Sequence, residues 1–201
     1  MATITADQVK QLRDRTGAGM MECKAALAEA GGDMEAATTL LRTRGLAQAA
    51  KRAGRATAQG LIGTYIHMGG KIGVLVEVNC ETDFVARTDA FQHLVKEIAM
   101  HIAAADPRWA RREDVPQAAI DKEKGIYRAQ MEGSGKPAGV LDRIIDGKLN
   151  SFYAQFVLLE QPSVRDPNVT IAQMLAETTA KTGENITIGR FTRYRVGESA
   201  D

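Results

Sequence analysis

The sequence has few cysteines and no long apolar run. Its 201 residues include two cysteines, Cys23 and Cys80, which lie far apart and form no CxxC pair. This spacing excludes a readable zinc ribbon or disulfide framework, so we expect both thiols to be buried and reduced, as is typical of the cytosol. No apolar stretch approaches the roughly 20 residues that span a bilayer, and the N-terminus lacks the apolar segment of a signal peptide. These absences predict a soluble cytoplasmic protein without a membrane anchor.

Excess charge and aromatic side chains are also scarce. Lys and Arg number 26 against 25 Asp and Glu, a formal net charge of +1, and aromatic residues make up 5% of the chain. A surface devoted to nucleic acid would carry a clear positive excess, and a base-stacking platform would need more aromatic rings. The main basic run, residues 42–55, contains Arg42, Arg44, Lys51, Arg52 and Arg55. A solvated linker helix is its simpler interpretation, and contact with phosphate or an acidic partner stays open.

Recognisable catalytic and metal-binding motifs are missing as well. His93, Glu97 and His101 are spaced four apart, so they lie on one side of a predicted helix, but HExxH and other familiar zinc spacings are absent. We expect them to form a solvated polar face, with a metal-dependent hydrolase as the alternative. The segment Gly133–Pro137 does not fit the phosphate-binding pattern GxxxxGK[ST] and is predicted to be a turn. The sequence thus predicts neither an enzyme nor a bound metal or cofactor.

Residues 1–46 have the pattern of three short helices in one small domain. Thr5 and Gln8 fit a capping box at the first helix, Asp33 can cap the third, and Gly45 is predicted to end it. Helices this short are marginal alone, so they must share one core. Residues 47–59 are then predicted to form a basic, alanine-rich linker helix.

Residues 60–201 are predicted to form an α+β core domain, because alternating and helical apolar patterns occur there without a regular βαβ rhythm. A β-hairpin with Gly69 and Gly70 at its turn is expected first, followed by a helix that begins at Asp89. An inserted helical pair is expected over about 108–150, with its helices opened by Pro116 and Pro137. The remaining predicted elements are a strand over Phe152–Leu159, a helix after Thr170 and a last strand over Ile186–Val196.

The segment Asn79–Ala86 connects the second hairpin strand to the following helix. Thr82 can cap the turn, which places Asp83 and Phe84 near the tip of the connection. Two interpretations are open. Phe84 and Val85 could cover the end of the core, or Phe84 could be an exposed aromatic anchor of the kind that dominates small interfaces.

Several stretches, in the same order, resemble the translation elongation factor Ts family, the nucleotide exchange factors for elongation factor Tu. The most specific are TGAGMM, within LRDRTGAGMMECKAAL at Leu12–Leu27, and NCETDFV, within VLVEVNCETDFVART at Val74–Thr88. EIAMHIAA at Glu97–Ala104, LLEQPSV and KTGENITIGRF complete the resemblance. Together these stretches occur in both predicted domains and extend over nearly the whole chain.

The resemblance implies both a fold and a function. The implied fold is a ubiquitin-associated-like three-helix domain, a linker, and an antiparallel sheet covered by helices. The implied function is to bind elongation factor Tu·GDP, dislodge its magnesium ion and induce exchange of GDP for GTP. The resemblance further implies that the factor stays with the aminoacyl-tRNA·Tu·GTP complex until GTP is hydrolysed on the ribosome.

Specific contact residues follow from the same resemblance. Thr82, Asp83, Phe84 and Val85 match the segment that displaces magnesium, with Phe84 as the wedge beside the magnesium and phosphate site of elongation factor Tu. The residues that match other contacts with this partner are Arg13, Met20, Met21, Lys24 and His67.

Chain length adds one further expectation. Longer members of the family contain a second, related core module, whereas only one is readable here, which suggests that the short form is a homodimer.

The main rival to the exchange-factor hypothesis is a ribosome- or RNA-associated protein that uses residues 42–55, and a steep salt dependence of RNA binding would identify it. Direct nucleic-acid binding is not expected otherwise.

Overall fold

The computed structural model describes residues 4–132 and 137–198. It confirms the predicted α+β class, because within these residues the chain forms eight α-helices and one three-stranded sheet. The helices are α1 Ala6–Thr16, α2 Met20–Glu29, α3 Met34–Arg52, α4 Asp83–Ala86, α5 Asp89–Ala105, α6 Gln117–Gln130, α7 Ala138–Phe156 and α8 Ile171–Thr182. The strands are β1 Gln59–Ile66, β2 Ile72–Cys80 and β3 Ile186–Arg195. No described helix is both long enough and apolar enough to cross a membrane.

The described residues group into two compact units. The first unit comprises residues 4–63, Glu77–Glu97 and Gln173–Gly189. The second unit comprises Thr64–Val76, residues 98–132 and 137–172, and residues 190–198. The division of the chain into 1–46, 47–59 and 60–201 stays a prediction.

The first and third N-terminal helices begin where their capping residues predict. The Gln8 N–H donates to Thr5 Oγ1 at 3.2 Å and the Thr5 N–H donates to Gln8 Oε1 at 2.9 Å, which confirms the capping box. The Ala36 N–H donates to Asp33 Oδ1 at 2.9 Å at the start of α3. The helices share one buried cluster, formed by Val9, Leu12, Cys23, Ala26, Leu27 and Ala37. The likeness of this cluster to a ubiquitin-associated domain stays a prediction.

The prediction that Gly45 ends the third helix is wrong. Helix α3 continues through Gly45 to Arg52, so the linker predicted over 47–59 starts inside this helix. Gly45 is buried, and a Cβ added to it would lie 3.4 Å from the Cβ of Ala180 in α8. The glycine therefore allows two helices to approach closely and does not terminate one of them.

The predicted hairpin and the predicted helix after it are confirmed. The His67 N–H donates to the Ile72 carbonyl at 2.9 Å across the turn, where Gly69 and Gly70 both have positive φ. The strand order is β1-β2-β3, and the strands run antiparallel. Alternate residues of β2 are buried, as the period of a strand requires: Val74, Val76, Val78 and Cys80. In α5 the predicted apolar stripe is buried too: Phe91, Leu94, Ile98 and Ile102.

The strand predicted over Phe152–Leu159 is wrong. These residues end helix α7 at Phe156 and continue into a short 3₁₀ turn, Leu158–Glu160. Phe152 and Phe156 lie one helical turn apart, with ring centroids 5.1 Å from each other, and Trp109 packs 5.9 Å from Phe152. The aromatic density belongs to the apolar face of a helix. The helices opened by Pro116 and Pro137 occur as predicted, whereas the turn predicted at 133–136 lies outside the described residues.

Candidate functional site

Helix α4 is a four-residue helix that follows β2 directly. Thr82 has extended backbone angles and its Oγ1 accepts a hydrogen bond from the Val85 N–H at 3.4 Å, which confirms it as the N-cap. A single helical turn has no independent stability, because nucleation fixes several residues for one hydrogen bond. Contacts outside the helix must therefore hold it in place.

The side chains of α4 divide sharply between solvent and core. Val85 and Ala86 are 8% and 5% exposed, whereas Phe84 is 77% exposed. Successive helical residues point about 100° apart, so one turn can present one side chain to solvent and bury the next. The structure therefore combines the two interpretations of this segment: Val85 covers the core and Phe84 does not.

Asp83 lies beside Phe84 at the first position of α4. Its Oδ2 accepts a hydrogen bond from Arg87 Nη2 at 2.7 Å, one turn along the chain. The Arg87 side chain is exposed and that of Asp83 is half exposed, and a pair this accessible to solvent adds little to stability. The turn thus presents a carboxylate and an aromatic ring side by side on its open surface.

Glu184, in the connection between α8 and β3, binds the start of this turn. One carboxylate oxygen accepts from the Thr82 N–H at 3.0 Å and the other accepts from the Thr82 hydroxyl at 2.6 Å. The adjacent residues form a matching contact, in which the Asn185 N–H donates to Glu81 Oε1 at 2.7 Å. Sequence reasoning missed both contacts, because the partners are 102 and 104 residues apart and no local spacing connects them.

Cys80 and Cys23 are buried and free, as predicted. Burial raises the pKa of the Cys80 thiol, and the nearby Glu184 carboxylate raises it further. The Cys80 thiol donates to the Thr82 carbonyl oxygen at 3.1 Å, so it serves as one more support beneath the turn. Burial likewise raises the pKa of Cys23. Both thiols are therefore poor nucleophiles at neutral pH.

The N-terminal residues singled out from the sequence lie on the outside of α1 and α2. Arg13 and Lys24 are exposed, and Met20 and Met21 are 47% and 76% exposed. Large exposed methionines suit an adaptable apolar contact. These residues belong to the first unit, as does the Thr82 turn.

His67 lies in the hairpin connection of the second unit. Its side chain is exposed, and Nδ1 lies 3.1 Å from the Tyr65 hydroxyl. A single exposed imidazole with a phenol partner can donate or accept a hydrogen bond at a surface. No contact described for the second unit assigns it a more specific role.

The expectation of a solvated polar face on α5 is wrong for two of its three residues. His93 is exposed, but Glu97 is 8% exposed and His101 is 1% exposed. His101 is enclosed by Gln161–Val164, with Nε2 at 2.9 Å from Gln161 Oε1 and Nδ1 accepting from the Val164 N–H at 3.3 Å. Among residues 4–132 and 137–198, no group of three or more His, Cys, Asp or Glu side chains is arranged to hold a metal ion.

Three arginines of the basic run are paired with acids inside the first unit. Arg44 pairs with Glu29, and Arg42 lies 3.8 Å from Glu177. Arg55 Nη1 lies 3.5 Å from Glu81 Oε1, next to the Thr82 turn. Pairing of this kind lowers the positive potential available to a phosphate backbone.

Comparison with known proteins identifies the family. A family model described as Elongation factor TS matches residues 35–198. The chain is 58% identical over 199 residues to a protein named Elongation factor Ts from Solibacter usitatus, with 99% of this chain and 94% of the relative covered. It is 60% identical over 195 residues to the protein of the same name from Fervidobacterium nodosum, with 97% and 99% covered. For the protein of that name from Geobacter sulfurreducens the identity is 55% over 199 residues, with 99% and 92% covered. The chain therefore belongs to the elongation factor Ts family.

Proposed function

We propose that this chain binds elongation factor Tu·GDP in the cytoplasm, dislodges the magnesium ion and induces exchange of GDP for GTP. The observation that supports the proposal most strongly is the Phe84 ring, 77% exposed on a helical turn whose other side is buried. Membership in the elongation factor Ts family supports the choice of partner. In the same proposal the factor stays with the aminoacyl-tRNA·Tu·GTP complex until GTP is hydrolysed on the ribosome.

The proposed action needs no covalent chemistry in this chain. In a GTPase, Mg²⁺ bridges the nucleotide phosphates and the phosphate-binding loop, so weakening its coordination loosens GDP. The exchange factor and the nucleotide must each lower the affinity of the partner for the other by the same factor. Exchange is therefore a problem of differential binding, and we assign no catalytic residue.

The residues of the turn take different roles in this proposal. Phe84, which is exposed, and Asp83, whose side chain is half exposed, are the pair that would enter beside the magnesium and phosphate site. Thr82 caps the turn and Val85 anchors it in the core, so these two residues act by holding the pair in position. Magnesium belongs to the partner, and this chain supplies the displacing group.

Burial of Phe84 alone yields too little binding free energy to account for nucleotide exchange. Burying a Phe side chain of roughly 200 Å² at about 25 cal/mol/Å² yields at most on the order of 5 kcal/mol. Each tenfold loss of nucleotide affinity needs about 1.4 kcal/mol, and ordering at the interface consumes part of the gain. We therefore propose that the exposed residues of α1 and α2 bind the partner as well, with a further contact at His67 of the hairpin. The α1 and α2 residues are Arg13, Met20, Met21 and Lys24.

Release of a fluorescent GDP from elongation factor Tu tests the function. The wild-type chain should accelerate release, Phe84→Ala should lose most of that acceleration, and Ile126→Ala should keep it. Ile126 is a matched control because it is a partly exposed apolar residue of α6, at 40% exposure, outside the proposed contacts. Acceleration that ignores Phe84 would contradict the wedge, and absence of any acceleration would contradict the function. The RNA-binding rival would then be tested by a salt titration.

The homodimer also stays a proposal, based on chain length and the single core module. Sedimentation equilibrium at the concentration used for exchange distinguishes the two states. A dimer of the wild-type chain would support it, whereas a monomer with full exchange activity would contradict it.

A further inference from the structure

The turn that carries Asp83 and Phe84 is fixed from two sides. Burial of Val85 and Ala86 holds its inner face, and hydrogen bonds to Thr82 hold the residue that precedes α4. The contact between Arg87 and Asp83 lies within the same turn, and a solvent-accessible pair of this kind contributes little to holding the turn in place. The contacts at Thr82, where the helix begins, are therefore well placed to set the direction of Phe84.

The Glu184 carboxylate binds both donors of Thr82. Its oxygens accept from the Thr82 N–H at 3.0 Å and from the Thr82 hydroxyl at 2.6 Å, and hydrogen bonds to an ionised acceptor are stronger than neutral ones. Because the hydroxyl hydrogen is committed to Glu184, the lone pairs of Thr82 Oγ1 are left for the Val85 N–H. Glu184 thus orients the capping hydroxyl as well as the backbone that precedes α4.

The segment that bears Glu184 is itself firmly attached. Asn185 is buried, its N–H donates to Glu81 Oε1 at 2.7 Å, and its Nδ2 donates to the Arg55 carbonyl at 2.9 Å. Glu81 and Thr82 are therefore bound to Asn185 and Glu184 in pairs, which forms a two-residue clasp between the end of β2 and the start of β3. A carboxylate held in this way can transmit its position to the turn.

We propose that Glu184 is a positioning residue for nucleotide exchange: by binding both donors of Thr82, it sets the geometry with which Asp83 and Phe84 are presented to the partner. This inference rests on the proposed exchange function. Glu184 would act through Phe84 and need not touch the partner. Its removal should therefore reduce the maximal rate of GDP release more than the affinity for the partner, since α1 and α2 would still bind.

The kinetic test uses fluorescent GDP release from elongation factor Tu, with the chain titrated to saturation. Glu184→Ala should lower the maximal rate about tenfold, the scale of losing hydrogen bonds to a charged group, while the half-saturating concentration changes less than threefold. Glu177→Ala is the matched control, because Glu177 is a partly exposed acid of α8 that pairs with Arg42, and it should leave both values unchanged. An unchanged maximal rate for Glu184→Ala would overturn the inference.

A double-mutant cycle separates positioning from a general structural role. In the Phe84→Ala background, Glu184→Ala should have almost no further effect on the maximal rate, because its action passes through the missing ring. Equal fold losses in both backgrounds would overturn the inference. Thr82→Val should behave like Glu184→Ala, and Thr82→Ser should lose less than Thr82→Val because it keeps the hydroxyl that Glu184 binds, which gives a second test if Glu184→Ala folds poorly.

A readout that does not depend on exchange keeps this inference distinct from the proposed function. Hydrogen exchange of the Val85 amide should speed up in Glu184→Ala and stay as in the wild type in Glu177→Ala, since only the first change disturbs the cap. Unchanged protection of Val85 would overturn the positioning role even where the exchange function holds. A wild-type chain that fails to release GDP would instead contradict the proposed function, whatever the Val85 amide shows.

Discussion

Phe84 and Val85 are consecutive residues of α4, yet Phe84 is 77% exposed and Val85 is 8% exposed. The chain leaves its largest apolar side chain of this turn in water and buries the smaller neighbour. Isolated exposed apolar residues are common on protein surfaces, but an aromatic ring on a turn with several buried and hydrogen-bonded supports is suited to insertion into a partner. The contrast also separates function from stability, because substitution of Phe84 should affect binding to the partner and substitution of Val85 should affect the free energy of unfolding.

Phe84→Ala should weaken binding to nucleotide-free elongation factor Tu by roughly 2–4 kcal/mol, as expected for truncation of an interface anchor, and should weaken binding to elongation factor Tu·GDP much less. The free energy of unfolding should change by less than about 0.5 kcal/mol, because the ring is already exposed in the folded chain. Calorimetric titration and urea unfolding measure the two quantities. A wild-type affinity, or a large loss of stability, would count against the anchor role.

Val85→Ala should show the opposite behaviour. Removing buried methyl groups beneath the turn should lower the free energy of unfolding by about 1–2 kcal/mol. Urea unfolding of this variant beside Phe84→Ala makes the comparison direct. Equal stability of the two variants would mean that the burial of Val85 contributes nothing.

Two glycines should respond in opposite directions to the same substitution. Gly60 in β1 has φ +150°, and a Cβ there would lie 2.2 Å from the Val78 carbonyl oxygen, so Gly60→Ala should destabilise the chain by about 2 kcal/mol or more. Gly147 is inside α7 with no atom within 4 Å of an added Cβ, so Gly147→Ala should stabilise it by roughly 0.5–1 kcal/mol. Thermal unfolding of both variants checks the pair, and a neutral Gly60→Ala would contradict the close approach of β1 and β2.

His101 should make stability depend on pH. Burial lowers the pKa of His101 from its ordinary value of 6.5, although the Gln161 hydrogen bond partly opposes the shift. The unfolded chain therefore binds this proton at a higher pH than the folded chain does. The resulting stability is fully present above about pH 6.5 and is lost as the pH falls toward the lowered value.

Urea unfolding between about pH 7.5 and pH 5 measures this dependence, because this range includes the ordinary histidine pKa of about 6.5. His101→Gln should flatten the profile in this window. His93→Gln provides the matched control, because His93 is exposed on the same helix, and it should leave the slope of the wild type. A wild-type slope in His101→Gln would assign the pH dependence to other groups.

Local signals predicted the parts of the fold that depend on neighbours in sequence. The capping groups of Thr5, Asp33 and Thr82 lie within three residues of their partners, so the starts of α1, α3 and α4 were predictable. The hairpin is also local, because its glycine turn and alternating strands are adjacent. The exposure of Phe84 could only be left open, since it depends on what covers the turn.

The errors arise from contacts between distant segments. From the local sequence, Gly45 is typical of a residue that ends a helix. In the structure it lies inside α3, where the absence of a side chain allows close approach to Ala180 of α8. His101 looks like part of a polar face until Gln161 and Val164 enclose it. The aromatic run that ends α7 satisfies strand propensity equally well, and the contacts of Phe152 with Phe156 and Trp109 identify it as the apolar face of a helix.

The most direct test of the central claim is the affinity of elongation factor Tu for GDP with and without a saturating amount of this chain. The account predicts a weaker affinity in its presence, and GDP must weaken the binding of the chain by the same factor. Most of that factor should disappear with Phe84→Ala. An affinity for GDP that the wild-type chain leaves unchanged would contradict the account.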